Sequence, residues 1–187
     1  AGNAAVLTLP TPNALYSASD NQAIVIDAVV PTITNVTSNE TDTVYSATED
    51  SLEIRVEFSE NITVGGTPVL TLETGTIDRD ATFSYVDGGN VAVFIYDVLA
   101  GDNSPDLDYE SDSALSLAGG TIRDAVLNNA NLTLPIPGTA NSLFDNKDIV
   151  IDTTAPTVAQ VYTLKPDGTY SNGEVIDILV EFSEDVT

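Results

Sequence analysis

Residues 52–60 read Leu-Glu-Ile-Arg-Val-Glu-Phe-Ser-Glu, and their pattern is the clearest indication of the fold class. Its apolar side chains alternate with polar ones, which is the period of a β-strand that buries one face. The alternating apolar residues are Leu52, Ile54, Val56 and Phe58. Residues 176–184 read Ile-Asp-Ile-Leu-Val-Glu-Phe-Ser-Glu and carry the same pattern. No long segment shows a helical period, so the sequence predicts an all-β protein.

Further strands are predicted between these two stretches, and turn residues separate them. Asp87-Gly-Gly-Asn90 supplies the turn of a hairpin. About seven or eight strands in one unit predict an antiparallel Greek-key β-sandwich. The additional strands are expected at residues 69–73, 81–86, 91–98, 115–117, 132–134 and 149–151.

Successive antiparallel strands place their loops alternately at the two ends of a sandwich. The loops at residues 38–50, 73–80 and 99–108 are therefore expected at one end, near Asp152. The loops at residues 59–67 and 87–90 are expected at the opposite end, near Asp27.

Two parts of the chain match each other at an offset of 125 residues. Asn-Ala-Asn-Leu-Thr-Leu-Pro at 129–135 matches Ala-Ala-Val-Leu-Thr-Leu-Pro at 4–10. The sequence Ile-Val-Ile-Asp occurs twice, once ending at Asp27 and once ending at Asp152. Val-Glu-Phe-Ser-Glu then recurs at 180–184 after one deletion. Chance does not keep a register through so many blocks, so tandem repeats are predicted.

The repeat boundary is marked by a strand that ends in Asp, then three intervening residues, then Pro, as at Asp27 to Pro31 and Asp152 to Pro156. One complete repeat is predicted at 28–152, the last strands of a preceding repeat at 1–27, and the first strands of a following repeat at 153–187. The two partial ends lack counterparts of residues 64–125. We therefore expect either a longer parent chain or subunits that exchange strands.

Composition excludes several classes of function. Asp and Glu number 29 against five Lys and Arg, giving a formal charge of −24, so nucleic-acid binding is not expected. The chain has no Cys and no His, which removes disulfides, thiolate chemistry and the commonest general base. No apolar run reaches the roughly 18 residues that a membrane-spanning helix needs. Enzymatic activity and membrane insertion are not expected.

Several motifs together resemble a known class of repeat. They are Val-Glu-Phe-Ser-Glu at 56–60, Thr-Pro-Val-Leu-Thr-Leu-Glu-Thr-Gly at 67–75, Gly-Asp at 101–102 with Asp-Leu-Asp-Tyr at 106–109, Gly-Gly-Thr-Ile at 119–122 and Ile-Asp-Thr-Thr-Ala-Pro at 151–156. The chain resembles the immunoglobulin-like and cadherin-like tandem repeats of giant bacterial surface adhesins, some of them RTX-type. The resemblance implies β-sandwiches arrayed outside the cell and stiffened by calcium.

Calcium takes six to eight oxygen ligands, so carboxylates must converge from several loops. Asp78-Arg-Asp80 is similar to the Asp-Arg-Glu element of cadherins. The ligands expected at the Asp152 end are Asp78, Asp80, Asp102, Asp106, Asp108, Asp152 and Glu49, with Glu184 reaching back from the next repeat.

At the other junction, Glu60 is expected to reach toward Asp27 and Asp20. The linker after Asp27 is Ala-Val-Val-Pro, which is less polar than the linker after Asp152, so the 152 junction is favoured as the calcium site. The alternative interpretation is that these acids are solvated loop residues chosen for turns.

The leading hypothesis is a rigid spacer repeat of an extracellular adhesin, sheath or filament, whose partners are neighbouring copies of the same repeat. One alternative is a filament subunit that polymerises by strand exchange through its incomplete terminal repeats. Another is a ligand-binding or glycan-binding adhesin domain, with the final surface ligand unknown.

Overall fold

The computed structural model describes residues 7–46 and 51–186. The fold is mostly β, with two four-residue helices, α1 (Ala18–Asn21) and α2 (Leu143–Asn146). The strands of the first half are β1 (Ile33–Ser38), β2 (Val44–Tyr45), β3 (Ser51–Phe58), β4 (Thr63–Gly65), β5 (Val69–Glu73), β6 (Arg79–Asp87) and β7 (Val91–Asp97). Those of the second half are β8 (Asn103–Ser104), β9 (Asp108–Tyr109), β10 (Leu115–Ser116), β11 (Thr121–Arg123), β12 (Val150–Asp152), β13 (Val158–Tyr162) and β14 (Leu179–Phe182).

The largest element is a curled antiparallel sheet of seven strands. Its order is β1-β3-β7-β6-β5-β10, and β9 also pairs with β5. The long strands expected from period-two alternation are confirmed, because β3, β5, β6 and β7 each cover the predicted segment within about two residues. Smaller sheets form from β4 with β11, from β2 with β12 and β8, and from β13 with β14.

The hairpin between β6 and β7 turns where the sequence predicts it. Asp87 pairs with Val91, and Gly88 and Gly89 between them have φ values of 56° and 90°. Only glycine adopts this left-handed region without a steric cost, so the Gly-Gly pair fixes the turn. A Cβ atom on Gly89 would also lie 2.8 Å from the Asn61 side-chain oxygen.

The core lies on the inner face of the large sheet. The alternating side chains of β3 point into it together with Phe94 and Tyr96 of β7 and Leu70 and Leu72 of β5. The smaller elements and loops contribute further side chains to the same core, namely Ile62, Leu107, Ile122, Leu134, Leu143, Ile149 and Ile151. Burying each large apolar side chain contributes about 1.5–3 kcal/mol, so this shared core holds the small sheets against the large one.

The loops gather at the two ends as predicted. At one end, Ile151 and Asp152 of β12 pair with β8, the Val150 amide donates to the Thr43 carbonyl, and the Asn103 amide donates to the Thr74 carbonyl. At the other end, the Ile62 amide donates to the Gly89 carbonyl. The acidic loops are thus held at fixed places by backbone hydrogen bonds.

Two strand predictions are wrong in their extent. Residues 132–134 form no strand, although Leu134 is buried, because the Thr133 amide donates locally to Asn131 Oδ1 (3.0 Å) instead of to a neighbouring strand. The second alternating stretch becomes β14 only from Leu179, so Ile176 and Ile178 lie outside the strand. The helices α1 and α2 are too short to produce a helical period. Within the described ranges, neither helix is long or apolar enough to span a membrane.

The β13–β14 hairpin has the same register as β1–β3. Val158 pairs with Phe182 as Ile33 pairs with Phe58, and both pairs are followed by a register shift before the next rung. A hydrogen bond from Ser183 N to Thr157 O closes this hairpin at 2.8 Å, and an equal bond from Ser59 N to Thr32 O closes the first.

Candidate metal centre

Three carboxylates converge at the end of the molecule near Asp27. One oxygen each from Asp27, Glu60 and Asp124 lies within 4.8 Å of the other two. Asp27 belongs to the segment before β1, Glu60 follows β3, and Asp124 follows β11. The cluster therefore joins three segments that are distant in the sequence.

The Asp124 side chain is held by its own loop and is 3% exposed. Its Oδ1 accepts hydrogen bonds from the Val126 amide (2.9 Å) and the Asn128 amide (2.8 Å). Burial acts to raise the pKa of Asp124, but the hydrogen bonds from Asn128 and Val126 outweigh it and lower that pKa below its ordinary value. Asp124 is thus a charged carboxylate held in a fixed orientation.

Asn128 connects this loop to the segment that carries Asp27. Its Nδ2 donates to Asp124 Oδ2 (2.8 Å), to the Val29 carbonyl (3.0 Å) and to the Asp27 carbonyl (3.3 Å). Asp27 Oδ1 in turn accepts from the Val29 amide at 3.0 Å. The segment before β1 is therefore attached to the β11 loop by one amide side chain.

Glu60 completes the cluster from the end of β3. The adjacent Ser59 fixes its backbone, because Ser59 Oγ accepts from the Thr32 amide at 3.0 Å. The Glu60 Oε1 atom is buried and has no hydrogen-bond partner. Burial, and then the charges of Asp27 and Asp124, raise the pKa of Glu60 above its ordinary value.

None of the ion pairs within residues 7–46 and 51–186 includes a member of this cluster. Those pairs join Arg55 to Glu53 and Asp87, Arg79 to Asp102, and Lys147 to Asp42. The cluster thus concentrates negative charge without a basic side chain to offset it, and like charges at such distances repel.

The donor set fits a hard divalent cation. Oxygens bound to one calcium ion lie 2.3–2.6 Å from it, so two of them can be at most about 5 Å apart, a limit that the 4.8 Å separation meets. Each carboxylate brings one oxygen to the cluster, and the flexible calcium shell accepts water for the remaining positions. A chain without Cys or His offers no soft ligand of the kind that zinc sites use.

No protein-family model, curated protein or solved structure matches this chain. The similarity to adhesin repeats therefore stays a resemblance of sequence motifs.

Asp102 was a predicted calcium ligand, and the structure pairs it with protein groups. It is fully buried, and its Oδ1 accepts from Arg79 Nε at 2.8 Å. Its Oδ2 accepts from the Tyr96 hydroxyl (2.8 Å) and from the Leu99 amide (3.0 Å). Burial acts to raise the pKa of Asp102, but Arg79, Leu99 and Tyr96 together lower it below its ordinary value. Both oxygens thus anchor the loop after β7.

The other predicted ligands at the Asp152 end lie in separate surroundings. Asp108 is buried and accepts from the Tyr109 and Gly138 amides, both at 2.9 Å. Asp80 accepts from Thr71 Oγ1 at 2.7 Å, and Asp78 is exposed. Glu49 lies outside the described residues.

Asp106 lies in a second acidic group at this end. Its Oδ1 atom is buried without a hydrogen-bond partner. Burial, followed by the charges of Asp148, Asp108 and Asp42, raises the pKa of Asp106. Lys147 partly offsets this charge, since its Nζ lies 2.7 Å from Asp42 Oδ1.

Asp152 and Glu184 occupy positions equivalent to Asp27 and Glu60. Asp152 Oδ1 accepts from the Thr154 amide at 2.9 Å, which repeats the turn at Asp27. Glu184 Oε1 is buried and unpartnered, as Glu60 Oε1 is. Among the described residues, no third carboxylate joins them in the way that Asp124 joins Asp27 and Glu60.

Sequence reasoning paired Glu60 with Asp27 but missed Asp124 and Asn128, and it favoured the other junction. Asp20, the expected third acid, instead accepts from the Tyr16 amide within its own turn. Residues 64–125 have no second copy in the chain, so a comparison of repeats could not mark Asp124. The Asp-x-x-x-Asn spacing from 124 to 128 was the one local sequence feature that could have drawn attention to Asp124 and Asn128.

Proposed function

We propose that this chain is a structural spacer from an extracellular adhesin, sheath or filament, built from tandem β-sandwich repeats and stiffened by calcium. The observation that carries this proposal is the carboxylate cluster of Asp27, Glu60 and Asp124. It lies where the segment preceding β1 meets the loops after β3 and β11. A cation there would fix one repeat against the next.

Local geometry supports the repeat of 125 residues. Tyr16 and Asn141 both have left-handed backbones, with φ values of 68° and 69°. The Tyr16 amide donates to Asp20 Oδ2, and the Asn141 amide donates to Asp145 Oδ2. Both turns lead into four-residue helices. Because non-glycine residues seldom adopt positive φ, the same exception at matching positions favours two copies of one unit.

The small sheets support the sandwich. The β2–β12–β8 and β4–β11 sheets pack against the inner face of the large sheet and share its core. We interpret them as the interrupted second layer of a Greek-key sandwich that spans residues 28–152, with residues 1–27 and 153–187 belonging to the adjoining repeats.

The mechanical role follows from charge. Without a cation, repulsion among the three carboxylates opposes the contact between the Asp27 segment and the β11 loop. With calcium bound, the same carboxylates hold that contact closed. Extracellular calcium modules bind with dissociation constants of about 10⁻⁴–10⁻³ M, so such a junction is rigid outside a cell.

A distance measurement across the junction tests this role. Since the chain has no Cys, spin labels can be placed at Leu15→Cys before the junction and at the exposed Ser84→Cys on β6. We expect a narrow distance distribution in millimolar calcium and a broad one in chelator. Asp124→Asn should give the broad distribution in both conditions.

Asp112→Asn is the matched control, because it removes one negative charge from an exposed side chain outside the cluster. The distance distribution of this variant should narrow when calcium is added, as that of the parent protein does. Distributions of equal width with and without calcium would exclude calcium stiffening.

A further inference from the structure

The inner face of the β13–β14 hairpin is apolar and exposed. The solvent-exposed fractions of its side chains are 60% for Val161, 48% for Val180 and 39% for Phe182, and Ile178, which immediately precedes β14, is 65% exposed. The residues at the equivalent positions of β1 and β3 are Val36, Ile54, Val56 and Phe58, and each is at most 1% exposed. The same face is thus covered in one hairpin and uncovered in the other.

Residues 131–151 provide part of the cover over the first hairpin, beside Ile62, Leu107 and Ile122 from other segments. The Asn131 amide donates to the Pro31 carbonyl (2.8 Å), and the Val36 amide donates to the Asn141 carbonyl (2.9 Å). Asn146 Nδ2 returns a bond to the Val36 carbonyl at 2.8 Å. The apolar side chains that this segment adds to the core are Leu134, Leu143, Ile149 and Ile151. Strand β1 is therefore sealed by backbone bonds at its edge and by side chains over its face.

The equivalents of this covering segment are exposed as well. Residues 7–26 correspond to 132–151, and the exposed fractions are 85% for Leu9, 70% for Ile24 and 88% for Ile26. Ala18 stands at the position of Leu143 and would fill less space. The chain therefore presents the two complementary halves of an interface that it also contains in closed form.

We infer that residues 7–26 of one copy of this chain dock on the β13–β14 hairpin of a second copy, as residues 131–151 dock on β1–β3. The inference rests on the repeat architecture of the proposed function and does not need its cation. The expected contacts are a hydrogen bond from the Val161 amide to the Tyr16 carbonyl of the other copy, and burial of Leu9, Ile24 and Ile26 against Val180 and Phe182.

The two halves lie on different parts of the chain, so the contact is heterologous. Repeated without closure, a heterologous contact produces an open linear assembly. Each copy carries a formal charge of −24, and this charge opposes assembly at low ionic strength. Association through apolar surfaces should therefore strengthen as salt screens the repulsion.

Sedimentation velocity of the 187-residue chain, from micromolar to submillimolar concentration, provides the first test. We expect a concentration-dependent series of oligomers that is more populated in about 0.5 M NaCl than in about 0.05 M. Val180→Asp should leave a monomer, because it places a charge in the docking face. Leu179→Asp is the matched control and should still assemble, since Leu179 is equivalent to Arg55 on the opposite face. A wild-type chain that stays monomeric at high salt would overturn the inference, as would equal behaviour of the two variants.

Directed cross-linking provides the second test. Asn146 donates to Asn35 Oδ1 at 2.8 Å, and the equivalent positions are 21 and 160. A chain carrying Asn21→Cys, mixed with a chain carrying Gln160→Cys, should form a disulfide-linked dimer. Mixing Asn21→Cys with Ser84→Cys should form far less.

Both experiments are repeated in chelator to separate this inference from the calcium proposal. Persistence of the specific cross-link without calcium supports docking whatever the junction binds. Its absence in both conditions refutes docking but leaves the spin-label test of calcium stiffening intact.

Discussion

Asp102→Asn should destabilise the fold whether or not calcium is present. The substitution removes the charge that faces Arg79 and disturbs the hydrogen bonds from Tyr96 and Leu99. The Asp102 side chain is 1% exposed, whereas the Arg79 side chain is 27% exposed. Water can therefore solvate the abandoned guanidinium in part, but it cannot replace the contacts of the carboxylate.

The size of the effect follows from that asymmetry. Removing one partner of a buried ion pair costs about 3–5 kcal/mol, and a hydrogen bond to a charged group contributes about 1.5–3 kcal/mol. Partial solvation of Arg79 reduces the expected loss to about 2–4 kcal/mol. In a chain of this length that loss lowers the melting temperature by roughly 4–16 °C.

Thermal unfolding followed by circular dichroism, in calcium and in chelator, measures the loss. Asp78→Asn is the control, because it removes an equal charge from an exposed residue at the same end and should change stability by less than about 0.5 kcal/mol. An equal loss in both variants would refute the assigned role of the Asp102 network. A loss that appears only in calcium would make Asp102 a metal ligand instead.

The pH dependence of the same variant gives an independent check. The folded-state pKa of Asp102 lies below its ordinary value of 3.8, so its stabilising contribution is present above that pH and is lost as the pH falls through the folded pKa. Asp102→Asn should therefore show a smaller decline in stability in acid than the parent protein. An unchanged acid decline would contradict this assignment.

Two further predictions address the cluster and the hairpins. In chelator, Glu60→Gln should raise the melting temperature at neutral pH, because the raised pKa of Glu60 means that its charge opposes folding as the pH rises above 4.5. In calcium, the same variant should lower the melting temperature. A shift of the same sign in calcium and in chelator would contradict a metal-binding role of the cluster. Ile54→Ala should cost about 2–5 kcal/mol of unfolding free energy, because it leaves a cavity in the core. Ile178→Ala, at the equivalent exposed position, should cost less than about 0.5 kcal/mol in the monomer. Equal losses of the two variants in urea denaturation would contradict the difference in burial.

The sequence was sufficient to predict the β class and the long strands. Period-two alternation marked β3, and β5 has the predicted bounds of Val69–Glu73. The prediction at residues 132–134 was wrong because Asn131 Oδ1 accepts the Thr133 amide, and apolar alternation does not reveal such a local hydrogen bond. Leu134 packs in the core from an irregular segment instead.

The candidate site was harder to predict because it depends on tertiary contacts. Spacing marked Glu60 and Asp27, but nothing near Asp124 in the sequence indicates that the β11–β4 pairing brings it to them. For the same reason, Asp102, Asp106 and Asp108 were expected to supply calcium ligands, because three acids lie in one short stretch at the Asp152 end. The partners that Asp102 finds in Arg79 and Tyr96 lie on other strands, and local spacing does not reveal them.

Calcium titration of the wild-type chain and of Asp124→Asn, by calorimetry and thermal unfolding, measures directly whether the Asp27–Glu60–Asp124 cluster binds calcium. We expect a calcium site in the wild type with a dissociation constant of about 10⁻⁴–10⁻³ M. Calcium at ten to a hundred times that constant should raise the melting temperature by roughly 3–11 °C, and Asp124→Asn should lose both the binding and the shift. A wild-type chain that binds no calcium, or an Asp124→Asn chain that binds it equally well, would contradict the account.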